Sequence, residues 1–277
     1  MGLGREDLDF SNLPLLRDRI IQLRPKYLIN CAAYTAVDKA ESPSEQAECL
    51  LINSQLPGVL AEIAKELHIP FVHYSTDYVY TGIGTHFQNE LEPVSPQNFY
   101  GKSKLAGENN VVAAGGQYLI FRTSWVYSEW GNNFVKTMLR LGAERETLKV
   151  VSDQIGAPTY AMDIATSTLR CLETADCLSE THFPTGIYHL CGQGTTSWFE
   201  FAQEIFNIGS QLDFPMKIKN LIPIPTSDYP TPAKRPLNSR LNQEKLNKVF
   251  GVSLPDWKDS LNRCMQALQK ETKYESN

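Results

Sequence analysis

"IPFVHYSTD" (residues 69–77) is an apolar run that ends in two hydroxyls and a carboxylate. An apolar run of this length, closed by polar residues, reads as a strand buried on both faces. Its neighbours fit that reading. "PKYLINCAA" (25–33) is a second candidate strand, and 44–68 between them is a helical pattern interrupted near Pro57. Downstream, a helix over 103–115 leads to a strand over 117–127. A helix over 132–146, a short strand at 148–153, a helix over 161–175 and a strand at 186–192 follow. Strands alternating with helices at this spacing predict an α/β fold, with a doubly wound parallel sheet covered on both faces. A further helix over 197–210 has Ser197 as its N-cap. After residue 210 the pattern weakens. "IPIPTSDYPTPAKRP" (222–236) reads as an ordered irregular loop before helices at 243–250 and 256–270, and "KETKYESN" as a frayed tail.

Composition is that of an ordinary globular chain: 277 residues, 42% hydrophobic and 21% charged. The net charge of −5 argues against a nucleic-acid partner, which calls for a basic face. No apolar run reaches membrane-spanning length, and "MGLGREDLDF" has no apolar targeting core. The six cysteines form no C-x-x-C pair and have no histidine at zinc-like spacing. They read as reduced and buried, which points to the cytoplasm. His73 and His189 read as packed residues in strands, and no metal is indicated.

The polar end of the 69–77 strand gains meaning from "FYGKSKLAGE" (99–108). Tyr100 and Lys104 stand four apart, so a helix presents both on one face. Of 12 tyrosines, Tyr100 alone has lysine at the fourth position on. Ligands of open α/β sheets bind beyond the carboxyl ends of strands, where Thr76 and Asp77 lie. A phenol with a pKa near 10 is a poor acid at neutral pH, and a nearby ammonium would lower it. Tyr100 would then donate a proton to an oxygen gaining charge, with the Thr76 hydroxyl bonded to the same oxygen. That chemistry suits reduction of a ketone by hydride.

The segments "INCAAYTAVDKAE", "HYSTDYVY", "YGKSKLAGE", "FRTSWVY", "DQIGAPTY", "YHLCGQGTTSW" and "PTPAKRPLNSRL" together resemble the dTDP-4-dehydrorhamnose reductases, extended short-chain dehydrogenases/reductases. The resemblance spans about residues 8 to 268. It implies a Rossmann-like cofactor domain over 1–192. It also implies a smaller substrate-binding region over 193–277, with contributions from about 146–160. Tyr100, Lys104 and Thr76 would be catalytic. Ala32, Ala33, Thr35, Ala36, Val37 and Tyr74 would lie beside an NADPH or NADH cofactor, with Tyr100 and Lys104. Thr76, Asp77 and Trp125 would hold the sugar, and Arg235, Asn238 and Ser239 the nucleotide diphosphate of a small-molecule nucleotide-sugar substrate. A homodimer and a Mg²⁺ ion held by carboxylates are implied for some members only, and neither is readable in this chain.

One family feature is missing. No G-x-x-G-x-x-G turn occurs among the 17 glycines, so NADH and NADPH are not distinguished. Residues 3–12 resemble the family's third strand, which implies a shortened N-terminus lacking on the order of 30 residues of a βαβ opening. From this we expect weakened dinucleotide binding and a destabilised sheet. The competing reading is a non-catalytic binding module, like the regulatory subunit of methionine adenosyltransferase, or an inactive remnant.

Overall fold

The computed structural model describes residues 1–4, 7, 10, 12–178 and 183–275. Of the expected strand at 3–12, residues 5, 6, 8, 9 and 11 lie outside the described residues. Helix α1 (Leu13–Leu23) starts with Pro14 in its first turn, where a missing N–H costs nothing. Strand β1 (Leu28–Asn30) is shorter than the predicted 25–33. Helices α2 (Pro43–Leu50) and α3 (Leu56–Glu66) flank a π-helical turn at Leu51–Gln55, so the interruption near Pro57 is a widened turn with Pro57 opening α3. Strand β2 (Phe71–Thr76) is followed by α4 (Phe99–Ala114) and β3 (Tyr118–Thr123).

The predicted strand at 117–127 is two strands. Trp125 takes a left-handed backbone (φ 49°) and separates β3 from β4 (Val126–Tyr127). Then come α5 (Phe134–Glu144), β5 (Thr147–Val151), β6 (Ile155–Gly156), β7 (Thr159–Tyr160), α6 (Ala161–Cys177) and β8 (Gly186–His189). The chain closes with β9 (Thr196–Ser197), α7 (Trp198–Gln211), β10 (Asn220–Ile224), β11 (Asn238–Ser239), α8 (Glu244–Phe250) and α9 (Trp257–Glu275). Ser197 caps α7 in a reciprocal box with Glu200, as its position predicts. The irregular loop begins after Ile224, because residues 220–224 pair with β5 in parallel. That strand contains Pro223 and shows little alternation, so nothing local announces it.

The main sheet is wholly parallel, in the order β1-β2-β3-β8. On one face α1, α3 and α4 bury Leu16, Leu56, Ile63 and Val111 against Phe71 and Ile120. On the other, α6 and α8 close over Val72, Leu119 and Phe121. A second core gathers α5, α7 and α9 around Val135, Phe201, Leu261 and Met265. The two cores do not follow one cut in the chain: α5 belongs to the second and α8 to the first. All six cysteines are free. Cys49, Cys171, Cys191 and Cys264 are buried, but Cys31 and Cys177 are exposed, against expectation, at the end of β1 and of α6. His73 and His189 are fully buried, as read. Among the described residues no helix is long and apolar enough to cross a membrane.

Candidate active site

Helix α4 brings the site together. Its buried stripe is Gly101, Ser103, Lys104, Gly107, Glu108 and Val111, a helical repeat built from small and polar residues. The two glycines let the helix approach neighbouring backbone. A Cβ on Gly101 would stand 2.4 Å from the Tyr78 carbonyl oxygen, and one on Gly107 2.1 Å from that of Asn53. Asn98 caps the helix, accepting from the Gly101 amide at 2.7 Å, and its own amide donates to the Lys234 carbonyl at 2.9 Å. The first turn of α4 is thereby tied to the Pro-rich loop.

Tyr100 and Lys104 therefore lie one turn apart on α4, with Thr76 beside the Tyr100 phenol; the Thr76 hydroxyl itself donates to Asp77 at 3.1 Å and accepts the Tyr78 amide at 3.2 Å. Burial pushes the phenol well above its ordinary pKa, and the neighbouring Thr76 hydroxyl opposes the shift. The expected lowering by Lys104 is not what the structure shows. The Lys104 ammonium is engaged elsewhere: it donates to the Tyr74 carbonyl at 2.6 Å and faces His73 Nε2 at 3.4 Å. Burial lowers its own pKa to about 8, against a raising influence from Glu108. Lys104 is 2% exposed, and Tyr100 is half-buried.

Asp77 is buried beside Thr76, and its pKa is raised to about 6 by burial, against hydrogen bonds from Ser239 and Thr76. Ser239 donates to Asp77, while the Asn238 amide donates to the His86 carbonyl at 2.9 Å. Both side chains are 1% exposed and committed to protein partners, so neither is presented to a diphosphate as the motif suggested. Arg235 pairs with Asp38 at 2.6 Å and donates to the Tyr78 hydroxyl at 3.0 Å. The edge of the Tyr78–Tyr100 pair, with ring centres 5.5 Å apart, connects that guanidinium to the site. Trp125 lies in a stack on Trp198, centroids 3.7 Å apart. Its left-handed backbone is uncommon for a bulky residue, and such outliers are held by the surrounding structure. Gly156 makes the room, since a Cβ there would be 2.7 Å from the indole.

Ala32, Ala33 and Val37 are half-buried and Thr35 and Ala36 exposed beyond the carboxyl end of β1, leaving that stretch of backbone accessible. Tyr74 does not offer its ring there: its hydroxyl bonds Thr168 at 2.8 Å on the far face of the sheet, and its carbonyl serves Lys104. Two buried hydroxyls at neighbouring strand ends, Ser75 Oγ and Thr123 Oγ1, have no hydrogen-bond partner. Unspent donors and acceptors beside an accessible strand end fit the nicotinamide-ribose half of a dinucleotide. Among the described residues no three of His, Cys, Asp and Glu gather as a metal would need.

Sequence reasoning missed Asn53, Ser103, Tyr78 and Asp38. Asn53 is wholly buried, pairs twice with the Tyr34 backbone (2.8 and 3.0 Å) and donates to Ser103 Oγ at 3.0 Å. A polar residue inside "CLLINSQL" was the available signal.

A parallel sheet with a Thr-Tyr-Lys constellation beyond its strand ends defines the short-chain dehydrogenase/reductase class of nicotinamide-dependent oxidoreductases. The profile of the RmlD substrate binding domain family matches residues 1–270. The chain belongs to the dTDP-4-dehydrorhamnose reductase family. It is 44% identical over 260 residues to the dTDP-4-dehydrorhamnose reductase of Escherichia coli K12, covering 94% of this chain and 85% of that one. It is 43% identical over 271 residues to the Burkholderia thailandensis reductase, with 96% and 90% covered. Among solved structures, the Bacillus anthracis reductase in complex with NADP superposes with a TM-score of 0.87 at 35% identity, covering 96% of this chain and 89% of that one. The Clostridium acetobutylicum reductase gives 0.87 at 37%, with 97% and 90% covered.

Proposed function

We propose that this chain reduces the C4 keto group of dTDP-4-dehydro-L-rhamnose to dTDP-L-rhamnose, using NADPH or NADH. The observation that carries the reading is the placement of the Tyr100 phenol beside Thr76 at the carboxyl end of β2, with Lys104 buried one helical turn further on. Relatives at 43% and 44% identity named as this reductase, and the NADP complex of a structural neighbour, support it. When bound, the dinucleotide supplies the hydride.

The chain's own residues do the rest. Tyr100 donates its phenolic proton to the C4 oxygen as charge develops there, and Thr76 hydrogen-bonds the same oxygen. A phenol kept neutral by burial holds its proton until an oxygen of rising basicity is in place. Lys104 offers N–H donors to the cofactor's ribose from a site that admits little water. Ala32, Ala33 and the backbone from Thr35 to Val37 line the cofactor's path. Trp125, pinned against Trp198, gives the sugar ring a flat apolar wall. Arg235 supplies the positive charge facing the diphosphate, shared with Asp38. Asp77, with Ser239, fixes the strand end that carries Thr76.

The reading is tested by incubating the chain with NADPH and the keto-sugar nucleotide and identifying the product. Gain of two hydrogens, with dTDP-L-rhamnose as the product, bears it out. Recovery of unchanged keto-sugar, with both ligands bound, would leave a binding module instead.

A further inference from the structure

Three buried polar side chains, on β1, β2 and α4, run in series behind the site. Asn30 on β1 is 5% exposed, His73 on β2 is wholly buried and Lys104 on α4 is 2% exposed. Asn30 and His73 are paired neighbours in the parallel register. The Asn30 carbonyl oxygen accepts the Ala32 backbone amide at 3.0 Å, and its NH₂ lies 3.2 Å from His73 Nδ1. His73 Nε2 is 3.4 Å from Lys104 Nζ.

The direction of each bond follows from the first. A backbone amide can only donate, so Asn30 must present its oxygen to Ala32 and its NH₂ to His73. Nδ1 of His73 then accepts. Burial, with the nearby Lys104 charge, holds the imidazole neutral, so its single proton sits on Nε2, pointing at Lys104. An N–H aimed at an ammonium is donor against donor; aimed at a neutral amine it meets a lone pair. The lysine's charged form therefore has no proper partner in His73 unless the tautomer or the Asn30 amide turns over and breaks another bond.

We propose that Asn30 and His73 are positioning residues that bias Lys104 toward its neutral amine by fixing the Nε2–H tautomer of His73. The idea deepens the reductase reading, because Lys104 belongs to that site, and it links the amine's charge to the Ala32 backbone along the cofactor's path. The other groups around Lys104 are accounted for. Glu108 on the same helix is claimed by Arg122 of β3 through two hydrogen bonds, at 2.9 and 2.6 Å. Cys49 of α2 gives its thiol proton to Ser103 at 3.3 Å, and Tyr100 one turn back has its phenol beside Thr76. No carboxylate is hydrogen-bonded to Lys104 among the described residues.

The test needs no turnover. Long-range ¹H–¹⁵N spectra of the imidazole report the His73 tautomer, and ¹³Cε shifts of the lysine report its midpoint. The wild-type chain should show Nε2–H. Asn30→Asp replaces the donor with a second acceptor, so His73 should switch to Nδ1–H and accept from the ammonium, moving the Lys104 midpoint up by about one pH unit or more. An Nδ1–H tautomer in the wild type overturns the proposal, and that spectrum decides the matter even if the variant does not fold. So does an Asn30→Asp chain whose lysine midpoint moves while the tautomer stays. Failure of turnover with the Nε2–H tautomer present would count against the reductase reading alone.

Discussion

Two successive turns of helix α4 bury a charged group each, and they treat it in opposite ways. At Glu108 the charge is fully matched: both carboxylate oxygens take bonds from Arg122, and the Tyr80 hydroxyl takes a third from the guanidinium at 2.7 Å. At Lys104 the partners are a carbonyl and a neutral imidazole. A matched pair holds structure. An unmatched cation is strained by burial, and such groups gather at functional sites. The contrast separates scaffold from chemistry within one helix.

The sharpest break in that contrast comes from Tyr100→Phe. It keeps the ring against Tyr78 and removes the proton, so kcat should fall by about 10²–10⁴, with the fold intact by circular dichroism. Glu108→Gln attacks the other turn. It leaves a buried guanidinium without its counter-charge, and urea unfolding should show a loss of about 3–5 kcal/mol.

Lys104→Met should do the reverse. The folded pKa of Lys104 is lowered from 10.5 to about 8, so the cost of its charge is fully present below pH 8 and is relieved as pH rises toward 10.5. The wild type should gain up to roughly 3 kcal/mol across that window from this group, following 1.36 kcal/mol per unit. The methionine variant should lack the dependence and lose turnover. Asp77 gives a smaller effect of the same kind. Its folded pKa is raised from 3.8 to about 6, so this group's contribution falls as pH rises through that interval and is constant above it. Asp77→Asn should flatten that part of the stability profile. Smallest is Glu146→Gln, which opens an exposed pair with Lys219 and should alter stability by no more than about 0.5 kcal/mol.

The sheet and its helices were legible because each strand is an apolar run and most helices carry an apolar stripe. Helix α4 was harder, since its buried face is glycine, serine, lysine and glutamate, and only the Tyr100–Lys104 spacing marked it. That spacing, with the polar end of β2, was enough to single out Thr76, Tyr100 and Lys104 as candidates. It could not show which neighbour Lys104 engages, because His73 and Tyr74 come from another element. The same limit explains Asn238 and Ser239: a motif names residues, but only the fold shows that Ser239 is spent on Asp77 and Asn238 on the His86 carbonyl. Strand β10 was hidden because its pairing with β5 is set by distant residues and Pro223 interrupts its short apolar run.

Stopped-flow absorbance of the reduced cofactor, on mixing wild type or Tyr100→Phe with NADPH and dTDP-4-dehydro-L-rhamnose, tests the central claim most directly. Rapid loss of the reduced-cofactor signal with the wild type, and a rate lower by two orders of magnitude or more with unchanged ligand binding in the variant, is the expected result. Equal rates in the two proteins would show that the phenol of Tyr100 is not the proton donor.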